Sequence, residues 1–297
     1  MHSLVTGGKG FIGSNLVKTL LNLGHKVSVI DHKKEIDNDI FTAAYYYGED
    51  LKNFEKILPL FDNVDNVFHL AADVSIDYCI NFPKQSSDNN SISTLNALEC
   101  CRLKNIKKFI FSSTSAVYKE KMGSHIYKET DETYPLNTYS ASKLYGESLC
   151  RIYSQLYGLE TTILRYFNVY GNNKSSSPYD SVIKMFLKYQ KYDLPLQIFG
   201  DGKQTRDFIH VDDVVNMNIK AYETQQISYG EIFNVGTGKE TTVNKVARLL
   251  SNNISYSDAK IGELKFSRAD NKKAVKSFGW KPKIGFEDWI TSNIRLL

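Results

Sequence analysis

The sequence predicts an α/β protein: a doubly wound parallel sheet covered by helices on both faces, followed by a smaller α+β unit. Three observations carry this. Short apolar runs alternate with helix-period segments through the first 170 residues, the pattern of a parallel sheet. Three glycines spaced three apart stand between the first run and the first helix. Beyond Gly171 the alternation gives way to polar loops and separate helices.

Strands are expected at 3–6, 26–30, 66–71, 107–112 and 160–167. The first, Ser3-Leu4-Val5, leads into Thr6-Gly7-Gly8-Lys9-Gly10-Phe11-Ile12-Gly13, and a helical pattern follows through Leu16, Val17, Leu20 and Leu21. Gly7 suits the tight turn out of the strand. Gly10 lets backbone N–H groups approach a pyrophosphate, and Gly13 lets the helix lie close on the sheet. The helix N-terminus then faces negative charge. This predicts a dinucleotide, with Gly7, Gly10, Phe11, Ile12 and Gly13 against it. The second strand ends on Asp31, about 20 residues past the glycines, where a carboxylate accepts bonds from the ribose hydroxyls and repels a 2′-phosphate. NAD is therefore expected over NADP. His32, Lys33 and Lys34 pull the other way as possible phosphate partners, or are simply a solvated loop.

Two clusters carry chemistry. Tyr139-Ser140-Ala141-Ser142-Lys143 places Tyr139 and Lys143 four apart on one helix face. A nearby ammonium stabilises a phenolate and brings tyrosine, ordinarily near 10, towards the range of a general base. The same spacing recurs at Tyr170/Lys174 and Tyr256/Lys260, but only Tyr139 opens a long helical run downstream of a Ser/Thr cluster. That cluster, Phe111 to Tyr118, lies at the end of a strand, where open α/β sheets bind ligands. Its hydroxyls could polarise a substrate oxygen or merely satisfy backbone groups.

Past Gly171 the pattern reads as a polar loop at 172–177, a helix from about Tyr179, a loop from Phe199 to Arg206 and a helix from Val211. A strand at 231–235, a helix from Thr242 to Leu250 and a turn at Gly279-Trp280-Lys281-Pro282 follow. The organisation expected is an NAD-binding Rossmann domain over 1–170, rejoined by segments near 205–240, and a substrate-holding domain over 171–297. At 297 residues and 42% hydrophobic, the chain can bury one large core or two modest ones. A net charge of +4, without a basic block, gives no support to nucleic-acid or membrane partners. Cys79, Cys100, Cys101 and Cys150 lack metal-ligand spacing, so no metal is expected and the thiols read as reduced core residues. No apolar run approaches membrane-spanning length, and Met1-His2 runs directly into the first strand, so a cytoplasmic protein is expected.

These motifs together resemble the extended short-chain dehydrogenase/reductases and, within them, the NAD-dependent sugar-nucleotide epimerases of the UDP-glucose 4-epimerase type. The likeness spans nearly the whole chain. It rests on Thr6–Gly13, Asp31, Asp50-Leu51, His69–Ala72, Ser112–Tyr118, Tyr139/Lys143, Arg165–Gly171, Gly200–Val211 and Phe233–Gly238. The resemblance implies inversion at C4 of a UDP-hexose or UDP-N-acetylhexosamine through a 4-keto intermediate. Tyr139 would be base and acid, Lys143 would hold the nicotinamide ribose, and Thr114 would bond the reacting sugar oxygen. Asp50 and Leu51 would border adenine, and Ala71 and Ala72 the cofactor phosphates, with Tyr166 also at the cofactor. Asn168 and Arg206 would hold the diphosphate, since a guanidinium is a bidentate phosphate ligand. His210 reads as structural. Family members commonly dimerise through two helices, here near Ser93–Leu103 and Tyr139–Tyr157.

Departures from the family pattern narrow the reading. The sugar-nucleotide 4,6-dehydratases typically follow this Thr with Asp and Glu, and the decarboxylases carry a Glu in this stretch. Here Ser115 and Ala116 follow Thr114. The Cys and His of the keto-sugar epimerase-reductases have no match. The family's Arg-x-Gly-Asp segment stands as Lys260-Ile261-Gly262-Glu263, with Lys260 and Glu263 expected at the diphosphate and ribose. Ser267 falls where glucose-restricted members carry a bulky aromatic, which implies room for an N-acetyl group, or else is only a loop residue. Ser93 replaces a glycine of Asn-x-x-Gly-Thr and is tolerable inside a helix. Outside enzymes, the alternative is a dinucleotide-binding sensor, although such proteins usually lose the Tyr or Lys.

Overall fold

Seven parallel strands hydrogen-bond into one sheet because their residues are apolar on both faces: Leu4 and Val5, then Phe109, Ile110 and Phe111, are fully buried. They are β1 (His2–Thr6), β2 (Lys26–Ile30), β3 (Tyr45–Tyr47), β4 (Asn66–His69), β5 (Lys108–Thr114), β6 (Glu160–Tyr166) and, from later in the chain, β11 (Glu231–Val235). The computed structural model describes residues 1–32, 44–172, 182–224 and 229–294. The strand order is β11-β6-β5-β4-β1-β2-β3, so the chain reverses direction across the sheet between β1 and β4. The crevice beyond the strand ends at such a reversal is where open α/β sheets take ligands. The doubly wound, Rossmann-type expectation is met.

Helices cover both faces. On one side α1 (Phe11–Asn22) and α7 (Val211–Glu223) bury Leu16, Val17, Leu20, Val214 and Met217. On the other, α4 (Pro83–Leu103) and α5 (Thr138–Tyr157) bury Ala97, Leu98, Cys100, Cys101, Leu149 and Cys150. All four cysteines are buried and free. Short α2 (Phe54–Ile57) and α3 (Ile76–Asn81) precede α4.

The remaining elements gather around a separate apolar cluster. Here α6 (Val182–Lys191), α8 (Val243–Leu250) and α10 (Phe286–Ile294) pack Phe186, Val246 and Ile290 with Leu196 and Ile198 of β8 (Leu196–Phe199). Three two-strand ladders complete it: β7 (Asn168–Tyr170) with β10 (Phe208–His210), β9 (Thr205–Arg206) with β12 (Thr241–Thr242), and β8 with β13 (Ile254–Ser257). The turn at Gly279 ends α9 (Lys272–Phe278) in a left-handed conformation, φ +60°.

Boundaries differ from expectation in ways that matter. β4 stops at His69, releasing Leu70, Ala71 and Ala72 into the crevice, whereas β5 runs on to Thr114. The expected loop from Phe199 to Arg206 ends in β9, and α8 starts at Val243 because Thr242 caps it. Edge strand β3 went unread. The expected loop at 173–177, the start of the helix near Tyr179, and the residues Lys33, Lys34 and Lys174 lie outside the described residues. No helix among the described residues is long and apolar enough to cross a membrane.

Candidate active site

Gly7 leaves β1 at φ +69°, and a Cβ placed on it would lie 2.7 Å from the Ala71 nitrogen. A Cβ on Gly13 would lie 2.2 Å from the Gly7 oxygen, so neither position accepts a side chain. The turn is thereby pressed against the Leu70-Ala71 backbone. Gly10 starts α1 without a side-chain cap, leaving the helix N-terminus as an anion site. Asp31, 7% exposed at the end of β2, is fixed where its Oδ2 accepts the Lys9 N–H at 2.9 Å. A glycine cradle, a bare helix N-terminus and a carboxylate beyond the second strand fit a dinucleotide with an unphosphorylated ribose.

One continuous cleft of about 2020 Å³ runs from this cradle past the end of β5 into the C-terminal elements. Single-ligand pockets span roughly 300–1,000 Å³, so the cleft has room for two ligands end to end. Gly7, Gly10, Phe11, Ile12, Gly13, Asp31, Asp50, Leu51, Ala71, Ala72 and Tyr166 line the cradle side. Thr114, Tyr139 and Lys143 line the middle, and Asn168, Arg206, Lys260 and Glu263 the far side. Ser267 is not on the wall: it is 3% exposed with an unpartnered hydroxyl, while its neighbour Phe266 faces the cleft. His210 is also off the cleft wall, and its Nδ1 caps α7 by accepting the Asp212 N–H.

The central residues meet because the end of β5 and the start of α5 come together at the cleft. Thr114 is the last residue of β5, and its Oγ1 accepts the Ala116 N–H at 3.2 Å where the chain turns into a short 3₁₀ segment. Asn137 caps α5, which places Tyr139 in the first turn, on the same cleft wall as Thr114. Lys143, one turn on, is 4% exposed, with its ammonium 5.1 Å from the centre of the Phe111 ring. The expected lowering of the tyrosine is not what the chain alone supplies. Burial pushes the Tyr139 phenol up to about 12, and the Thr114 side chain opposes that rise. Burial likewise pushes Lys143 down to about 8.

A buried polar frame that sequence reasoning missed lies behind these groups. Asn90 accepts the Asp73 N–H at 2.7 Å and donates to the Asp73 carbonyl and to Ser142 Oγ, both at 3.1 Å. Ser93, the departure from the family glycine, sits inside α4 without breaking it. His69 spans Thr6 and Thr94 at 2.8 and 3.1 Å, and burial drives it down to about 3, so it is a neutral strut. Glu147, two turns beyond Tyr139, receives Ser113 Oγ at 2.5 Å and two Arg165 bonds at 2.8 and 2.6 Å. Its spacing from Lys143 was a usable signal.

At the far side Arg206 donates to Glu263 at 2.9 Å and to its neighbour's carbonyl, Thr205 O, at 2.9 Å. Lys260 pairs with Asp77 of α3 at 2.6 Å. Two candidate diphosphate ligands thus arrive with carboxylates of their own. Glu120 and Met122 also face the cleft, and Glu120 holds the Lys265 N–H at 2.8 Å. They stand on a loop whose sequence has no distinguishing pattern.

Known proteins match this arrangement along the whole chain. Residues 3–236 match the NAD dependent epimerase/dehydratase family. A putative UDP-glucose 4-epimerase of Methanocaldococcus jannaschii is 37% identical over 97% of this chain and 95% of its own. The solved UDP-glucose 4-epimerase of Thermotoga maritima, with UDP-glucose, superposes with a TM-score of 0.92 at 33% identity, covering 99% of this chain and 98% of its own. A UDP-glucuronic acid 4-epimerase of Bacillus cereus, solved with UDP-glucuronic acid and NAD, gives 0.89 at 32% identity over 100% and 99%. With its glycine cradle, strand-end threonine and Tyr/Lys helix in one cleft, this chain belongs to the NAD-dependent epimerase/dehydratase family, among the nucleotide-sugar epimerases.

Proposed function

We propose that the protein inverts C4 of a UDP-hexose or UDP-N-acetylhexosamine through a 4-keto sugar. The observation that carries this is the one cleft that Thr114, Tyr139 and Lys143 line together with the cations Arg206 and Lys260. NAD would be held by the Gly7–Gly13 cradle, Asp31 and the Ala71-Ala72 backbone, and would supply reversible hydride transfer at C4 of the sugar. The chain's own work is acid–base and positional. Thr114 Oγ1 holds the sugar oxygen, and Tyr139 Oη takes the 4-hydroxyl proton and later gives it back. Lys143 bonds the nicotinamide ribose and biases Tyr139 towards ionisation. Arg206, Lys260 and Asn168 hold the diphosphate while the sugar turns over. Elimination and decarboxylation are disfavoured because Ser115 is buried and Ala116 carries no acid.

The test incubates the purified protein and NAD with UDP-glucose, UDP-galactose, UDP-N-acetylglucosamine, UDP-N-acetylgalactosamine and UDP-glucuronate, following products by proton NMR and mass. Isomers of unchanged mass are expected. Loss of water or carbon dioxide would move the protein to another branch, and tight NAD binding with no product from any sugar would make it a sensor.

Ser267 supports acceptance of an N-acetyl group, because it puts a small side chain where glucose-restricted members of the family carry a bulky aromatic. Ser267→Tyr is expected to lose N-acetylhexosamine turnover about 10- to 100-fold while keeping UDP-glucose turnover. Unchanged selectivity removes Ser267 from the specificity argument.

The outer faces of α4 and α5 expose Ile92, Leu95, Leu103, Ile152 and Leu156, an apolar surface suited to pairing with a second copy. A homodimer is expected in sedimentation experiments, dissociated by Leu95→Glu with Ile152→Glu. A monomer at all concentrations in the unaltered protein counts against it.

A further inference from the structure

We infer that Asn137 is a positioning residue that locks the nucleotide-binding segment 260–265 onto the first turn of the Tyr139 helix, an inference that rests on the reading above. Its side chain has two separate tasks. Oδ1 accepts the Ser140 N–H at 2.8 Å and so caps α5. Nδ2 donates to the carbonyl of Gly262, 125 residues away, at 2.8 Å. Gly262, at φ +81°, stands between Lys260 and Glu263, two of the residues of that segment that line the cleft.

The segment has two more ties to the sheet side of the cleft: Lys260 to Asp77 at 2.6 Å and the Lys265 N–H to Glu120 at 2.8 Å. Asn137 supplies the tie that ends on the catalytic helix itself. Thr138, the next residue, donates to the Cys79 carbonyl at 2.9 Å, so α3, the start of α5 and the segment meet at one point. Neither Asn137 nor Gly262 lines the cleft. Their bond acts through Lys260 and Glu263, by holding the diphosphate end in register with Tyr139 two residues beyond the cap.

The two tasks can be separated. Asn137→Asp and Asn137→Ser keep a cap acceptor but cannot make the bond to Gly262, Asp for want of a donor and Ser for want of reach. Asn137→Ala loses both. The measurements are binding of UDP and NAD by calorimetry, the thermal midpoint, and kcat and KM with the sugar the protein turns over. In the Asp and Ser variants UDP affinity is expected to weaken, and KM to rise, about three- to tenfold, the range of one net hydrogen bond. NAD affinity should stay at the value of the unaltered protein, the midpoint should fall by only a few degrees, the worth of that one bond, and kcat should fall less than KM rises. Asn137→Ala, which also loses the cap, should lower the midpoint further. Asp and Ser variants that bind UDP as tightly as the unaltered protein overturn the inference. If the unaltered protein binds NAD but no UDP, the functional reading falls, and this inference with it.

Discussion

Tyr139→Phe is expected to lower turnover by about 10²- to 10⁴-fold while leaving NAD binding and the thermal midpoint nearly unchanged. The ring remains to fill the cleft wall, and only the phenol oxygen is lost. Single-turnover kinetics with the sugar that the protein converts would check this. Full activity in the variant would remove Tyr139 as the acid–base group. Lys143 sets the pH dependence that accompanies it. Burial holds its ammonium down at about 8, so the charge proposed to assist Tyr139 is complete below that pH and is lost as pH rises through it. Turnover should therefore fall on the alkaline side from about 8. The effect on stability has the opposite sign. Between about 8 and the ordinary 10.5 the unfolded chain holds the proton that the folded chain has released, so the contribution of Lys143 to stability rises with pH across that window.

Glu147→Ala is expected to be the most destabilising single change to the frame of the site, at about 3–5 kcal/mol. Both side chains of the Glu147–Arg165 pair are 3% exposed, and removing the acid leaves a guanidinium buried without its counter-charge. Thermal melting should show a loss of roughly 10 °C, from the usual few degrees per kcal/mol for chains of this size. Glu147→Met combined with Arg165→Met should recover most of that loss, because an apolar pair of similar volume avoids the unpaired charge. A Glu147→Ala midpoint within a degree or two of the unaltered protein would show that the pair contributes little. Glu147 also holds Ser113, next to Thr114, so the surviving folded variant should lose turnover as well.

Much of the site could be read from sequence because its signals are local. The glycine series, Asp31 at a strand end and the Tyr139/Lys143 spacing depend on turns, strand ends and helix periodicity, which neighbouring residues impose. Thr114 was singled out only by the family resemblance, since the hydroxyl cluster at the end of β5 does not by itself choose among Ser112, Ser113, Thr114 and Ser115. Edge strand β3, three tyrosines long, has no alternation to betray it, and it exists because β2 offers it hydrogen bonds. Glu120, Met122 and Phe266 reach the cleft by the path of their loops, which no periodicity reports.

By itself, then, the sequence determined the architecture, the dinucleotide cradle and the candidates for the reacting side chains, since each rests on backbone conformation over a few residues. The tertiary structure alone decided how those groups are charged and held. Burial raises Tyr139 against the expected help from Lys143, because desolvation depends on everything packed around a group. Arg206 and Lys260 meet Glu263 and Asp77, and Asn137 meets Gly262, through bonds between residues 57, 183 and 125 positions apart. Chain distance carries no signal for such pairs, and only the packing of one sheet against the C-terminal elements brings them within reach.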